Sequence, residues 1–200
     1  MCSWCWAFKP TWDKVKETLL GKIELEYLLG GLAPDNNQLM SIETREYIKG
    51  NWKRIQKMIP DTRFNYDFWT SCEPKRSTYP ACRAVICAKQ QHLDFENLMI
   101  YGIQKSYYLE AQNPSNEDIL INIAKKLDLD TDKFKIDLKS SQVNEILLDE
   151  IKRARLMNIS SMPSLVLQFN DTLKVIDIDY LDANYIIKQI IPWINSHNWQ

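Results

Sequence analysis

Two cysteines separated by two residues, Cys2-Ser3-Trp4-Cys5, stand directly ahead of a helical hydrophobic pattern, and no other feature constrains the chain as much. A sulfur at a helix N-terminus faces backbone N–H groups that lack intrahelical acceptors. The positive end of the helix dipole also favours its thiolate. The thiolate is the form that attacks disulfides, and a second thiol one turn on can close on the first. The spacing makes Cys2 the candidate nucleophile and Cys5 the candidate resolving thiol. A bare Cys-x-x-Cys equally fits half of a zinc site or two inert buried thiols, so the pair alone leaves those readings open.

The rest of the composition narrows the setting. Two hundred residues, 45% hydrophobic and 26% charged, describe an ordinary soluble domain, or a small domain with an insertion. The 25 basic and 26 acidic residues are interspersed, so nothing marks a nucleic-acid surface or a polybasic membrane patch. No apolar run has the length of a membrane span, and no signal peptide is written at the start. Five cysteines, an odd number, make no disulfide framework. The default is a reducing, cytoplasmic compartment in which the pair rests as a dithiol. Cys72, Cys82 and Cys87 read as buried small hydrophobes rather than a second redox pair or a zinc site. His92 and His197 have no ligand spacing and read as surface residues.

Periodicity divides the chain. A helix is expected from Trp4 to about Gly21, kinked or started at Pro10. Alternation over Ile23–Leu29 predicts a strand ended by Gly30-Gly31. Helices follow over 41–59, with Ile42, Tyr47, Ile48, Trp52, Ile55 and Ile59 on one side, then 81–92, 94–111, 117–127, 131–138 and 141–157. Phe64–Trp69 is a short strand or extended loop. After Asn158, Met162-Pro163 opens an apolar strand to about Phe169. Asn170-Asp171 turns a hairpin into Leu173–Ile176, and Asp182 caps a last helix. The order suggests a helical block inserted in a small α/β scaffold.

Cys2-Ser3-Trp4-Cys5, together with a Pro163 directly ahead of an apolar strand, resembles the thioredoxin superfamily. The long helical block between them is similar to the DsbA-like oxidoreductases. Gly30-Gly31-Leu32-Ala33-Pro34 and Tyr79-Pro80-Ala81-Cys82-Arg83-Ala84 resemble their signal-less branch. The resemblance implies an α/β thioredoxin-like fold over residues 1–40 and 158–200, with an all-helical insertion over 41–157. It implies a cis Met162–Pro163 bond packed against the cysteines, and a substrate groove formed by Trp4, Met162 and Pro163. Trp6 is either a second lip of that groove or core. The implied activity is thiol–disulfide exchange with substrate proteins or small thiols, recharged by a redox partner. It needs no cofactor, because the protein thiols carry the electrons.

In such a fold a strand runs into the Cys-x-x-Cys helix, yet only Met1 precedes Cys2. The expectation is a sheet lacking its first strand as written, from a truncated reading frame, and this bears on localisation. Glu24 and Glu26 read as solvated or paired rather than as a buried proton-relaying acid. The resemblance also leaves room for a non-enzymatic adaptor or redox-sensing binding module. A kappa-type glutathione-dependent transferase usually keeps serine at the attacking position, so the intact pair speaks against it.

Overall fold

The computed structural model describes residues 1–196. Helix α1 spans Ser3–Leu19, and it runs through Pro10 rather than starting or breaking there. Ala7, Phe8, Thr11, Val15 and Leu19 form its buried stripe. A block of helices follows: α2 (Ile42–Met58), α3 (Phe68–Ser71), α4 (Tyr79–Gln91), α5 (Phe95–Tyr108), α6 (Glu117–Lys126), α7 (Thr131–Leu138) and α8 (Ser141–Leu156). The chain then makes a hairpin, β1 (Leu165–Phe169) and β2 (Thr172–Ile176), and ends in α9 (Ala183–Ser196). His197 lies outside the described residues.

Four packed groups hold the described residues together, the smallest being Ala7, Ile55 and Ile59 with Trp4, Phe64 and Tyr180 against them. Leu167 and Ile176 of the hairpin pack with Phe8, Val15 and Leu19 of α1 and with Ile186, Ile190 and Ile194 of α9. The Ala-rich α4 is the hub of the second group and touches α5, α6, α7 and α8. Its small side chains let Met99, Leu120, Phe134, Val143, Leu147 and Ile151 close over it. The third group centres on Trp52, fully buried, with its ring among those of Phe64, Tyr66, Phe68, Trp69, Tyr107 and Tyr108. Trp6 of α1 enters this third group, stacked on Tyr108 at 5.5 Å.

β1 and β2 pair antiparallel, Leu165 opposite Ile176 and Phe169 opposite Thr172, around an Asn170-Asp171 turn in which Asn170 has φ +51. Among the described residues the sheet has only these two strands. The expected strand over Ile23–Leu29 does not form. Alternation creates a face, but a strand exists only where a neighbour completes its ladder, and among the described residues no strand pairs with this segment. Side chains tether it instead. Glu150 accepts the Leu29 N–H at 2.8 Å, Arg153 grips the Glu26 carboxylate through both nitrogens at 2.8 Å, and Trp12 Nε1 donates to the Tyr27 hydroxyl at 3.0 Å.

Two further expectations are corrected. Phe64–Trp69 is not a strand: after an irregular stretch it enters the short α3, because the Phe68 and Trp69 rings turn onto Trp52. On α2, Ile42 and Tyr47 are exposed, since the helix buries only the face of its second half against α1.

Gly31 joins the tether to the helical block. Its φ is +51, and a Cβ there would lie 2.2 Å from the Ile151 Cδ1 and 3.0 Å from the Tyr79 ring. Gly31→Ala should therefore lose clearly more than the 0.4–1 kcal/mol typical of glycine entropy effects, in a denaturant titration. Gly30→Ala, whose Cβ would meet only the flexible end of Met162, should cost less.

Candidate active site

Cys2 is the N-cap of α1, with extended backbone (φ −94, ψ 109) that turns its sulfur back over the first helical turn. The Cys5 N–H donates to Cys2 Sγ at 3.2 Å. This is the place where a serine or aspartate oxygen ordinarily caps a helix. As a thiol, Cys2 donates to the Met162 carbonyl at 3.3 Å. The Met162–Pro163 peptide is cis, as expected, and the turn it forms lies against the cysteine pair. Residues 160 positions apart in the chain thus meet at one corner.

The two thiols differ electrostatically. The hydrogen bond from the Cys5 thiol, helped by the Cys5 N–H, holds the Cys2 thiol below its ordinary value of 9.0, although burial opposes this. The same shared hydrogen bond, with burial, holds Cys5 well above the ordinary thiol range. Both sulfurs are reduced. The arrangement is an asymmetric dithiol in which Cys2 ionises more easily than an ordinary thiol and Cys5 less easily.

The pKa shift fixes the sign of a stability effect. The ionised Cys2 is favoured by folding, so its contribution is complete above the ordinary value of 9.0 and is lost as pH falls through the lowered native value. The stability gap between wild type and Cys2→Ser should therefore widen as pH rises toward 9.0, measured by urea unfolding of the reduced proteins. Burial raises Cys82 to about 11 and Cys87 to about 12, so these thiols act in the opposite sense. Their contribution is complete below the ordinary range and is lost as pH climbs through those values.

The surroundings hold the corner rigid. Ser3, buried between the cysteines, accepts from Trp52 Nε1 at 3.1 Å, tying the active turn to the aromatic group. Tyr108 lies beneath, fully buried, and its hydroxyl has no hydrogen-bond partner among the described residues. Gly30 lies against Met162: a Cβ there would sit 2.2 Å from Met162 Cε, so the flexible thioether end would have to shift. Glu150 on α8 fixes this segment through Leu29, and burial raises its carboxyl against the pull of that N–H.

Trp4, half-buried, is flanked by the Tyr180 ring at 5.2 Å and by the Arg54 guanidinium at 5.9 Å. Trp6 belongs to the core instead, with its Nε1 on the Arg63 carbonyl at 3.1 Å and its ring on Tyr108.

Of the remaining candidates, Cys87 is buried in the α4 hub, and Cys72 donates to the Ala111 carbonyl at 2.8 Å. Cys82, partly buried, packs against the α4-centred group. His92 is exposed on the surface. Glu24 is exposed and Glu26 is paired, so neither is a buried acid. Among the described residues no group of three or more His, Cys, Asp or Glu is arranged to hold a metal ion. Glu150, Arg54 and Tyr180 carried no sequence signal, since helical and loop periodicity says nothing about which distant backbone or ring they meet.

A curated relative, the ClpXP adapter protein SpxH of Halalkalibacterium halodurans, is 25% identical over 177 residues, covering 86% of this chain and 57% of the relative. The SpxH of Bacillus licheniformis is 35% identical over 166 residues, covering 80% and 52%. The chain spans about half the length of the curated relatives it matches. Among solved structures, a Nitrosomonas europaea protein provisionally named a protein disulfide isomerase superposes with a TM-score of 0.85 at 21% identity, over 98% of this chain and 94% of that one. The cytosolic disulfide reductase DsbM of Pseudomonas aeruginosa superposes at 0.73 with 18% identity, over 98% and 92%. The family described as Thioredoxin matches residues 1–185, pair and proline turn included. The chain therefore belongs to the thioredoxin family, and its fold is the DsbA-like form in which a block of helices stands between the cysteine helix and the proline turn.

Proposed function

We propose that the protein exchanges thiols and disulfides through Cys2 and Cys5, with Trp4, Met162 and Pro163 receiving the substrate. One observation carries this reading: the Cys2 sulfur caps α1, accepts the Cys5 N–H and lies on the Met162 carbonyl of the proline turn, in surroundings that lower its pKa and raise that of Cys5. In the reductive direction the Cys2 thiolate attacks one sulfur of a substrate disulfide. The substrate S–S bond breaks, and the departing thiolate takes up a proton. Cys5 gives up its proton and attacks Cys2 Sγ, releasing the second substrate thiolate. Two electrons have then passed to the substrate and a Cys2–Cys5 bond remains, which a thiol reductant reopens. The reverse sequence oxidises a substrate dithiol, and oxidation followed by reduction isomerises one.

In this reading residues 1–40 and 158–200 form the scaffold that carries the pair and the turn. The inserted block 41–157 supplies the wall of α2 beside Trp4. A cytoplasmic setting, with the pair kept reduced, fits the cytosolic disulfide reductase among the structural neighbours. The test is Cys5→Ser. It should accumulate mixed disulfides on Cys2 that dithiothreitol releases, and the wild type should reduce insulin. Absence of both would remove the enzyme reading.

The names of the curated relatives favour a second reading, an adaptor that docks another protein. A Cys2→Ser, Cys5→Ser double variant separates the two. An adaptor keeps its partner affinity in that variant, whereas an oxidoreductase loses its turnover.

A further inference from the structure

The exposed face of the second half of α2 carries Lys53, Arg54 and Lys57, and none of the three has a salt bridge among the described residues. The first half of the helix differs, since Lys49 is paired with Glu46 at 2.7 Å. A basic helix C-terminus complements the helix dipole and is common for that reason alone. The dipole does not explain where Arg54 sits: its guanidinium lies 5.9 Å from the centre of the Trp4 ring, between the two cysteines in sequence. Arg63, exposed and without a salt bridge among the described residues, holds Trp6 through its carbonyl.

Among the described residues no acidic group forms a salt bridge with this rim, although Glu46, paired with Lys49, also lies in the field of Lys53. Asp179, next to the Tyr180 that flanks Trp4, stays ionised, accepting through one oxygen from the N–H groups of Leu181 and Asp182 at 2.7 and 2.8 Å, and forms no salt bridge with Arg54 among the described residues. Asp61 is exposed beyond the end of α2 and bridges none of these cations. A guanidinium resting on an indole keeps its N–H edge free for a carboxylate, and the ring limits the orientations it must give up on binding.

We propose that Arg54, seated on Trp4, recognises an acidic residue beside the half-cystine of a polypeptide substrate, with Lys53 and Lys57 adding to the field. The occupant is a polypeptide segment with negative charge flanking its cysteine. The assignment rests on the redox reading of Cys2 and deepens it by naming a substrate class.

The experiment uses matched peptides whose cysteine is flanked by Asp and Glu, by Gln, or by Lys. Their S-methylated forms are scored for binding by fluorescence anisotropy, and their disulfide forms for turnover in dithiothreitol. The acidic peptide should exceed the basic one by about tenfold in both, as expected for an exposed charge contact plus the reversed repulsion. The gap should close in about 0.5 M salt. Arg54→Glu should abolish or invert the acidic-to-basic ratio, and Lys126→Glu, the same charge change on the distant α6, should keep it. A wild-type ratio near one, or a ratio that survives Arg54→Glu, overturns the assignment whether or not turnover occurs. An Arg54-dependent ratio in binding with no turnover of any peptide upholds the acidic preference and removes the redox reading instead.

Discussion

Cys2→Ser is expected to bring disulfide reduction down to the rate of the reducing buffer alone. Serine can still cap α1 and accept the Cys5 N–H, so the fold survives, but a hydroxyl neither ionises near neutral pH nor forms a mixed disulfide. Cys5→Ser gives the opposite pattern, because Cys2 keeps its place on the helix and the Cys5 N–H remains. The first attack proceeds and release fails. Insulin turnover by the two variants, with mass analysis for adducts, reads both outcomes. Equal loss in both, with no adduct on either, would show that the pair does not divide the labour as described.

The second large effect is structural. Trp52→Ala removes a fully buried indole with six aromatic neighbours, a change that typically costs about 3–5 kcal/mol. Against a usual domain stability of about 5–15 kcal/mol, that places the variant near its unfolding threshold. Trp52→Phe keeps one buried ring in place, losing the second ring's volume and the Nε1 bond to Ser3. It should fold, with a midpoint in urea well above that of the alanine variant. Similar midpoints for the two would mean that the ring is not a keystone of the third packed group.

Much of this was legible in the chain because it depends on local pattern. The cysteine spacing, the helix ahead of Lys22, the hairpin at Asn170-Asp171 and the helix face Val143, Ile146, Leu147, Ile151 and Ala154, of which Ile146 is only partly buried, all follow from turn chemistry and 3.6-residue repetition. Ile23–Leu29 misled for the converse reason. Its alternation is real, but a strand needs a partner, and the described chain offers Glu150, Arg153 and Trp12 side chains in place of a ladder. Within the site, the two cysteines and Pro163 could be named from sequence. The contacts that hold them could not. Ser3 on Trp52, Gly30 under Met162 and Arg54 on Trp4 join positions that sequence separation hides, and each depends on side-chain direction after folding.

Timed alkylation of the reduced protein from pH 5 to pH 10, with the modified cysteine located by mass spectrometry, tests the central claim most directly. The geometry predicts that Cys2 is modified first at every pH and that its reactivity has a midpoint below the ordinary thiol value of 9.0. Cys5, Cys82 and Cys87 should lag until the protein is denatured. A Cys2 midpoint at or above 9.0, or Cys5 reacting ahead of it, would contradict the account.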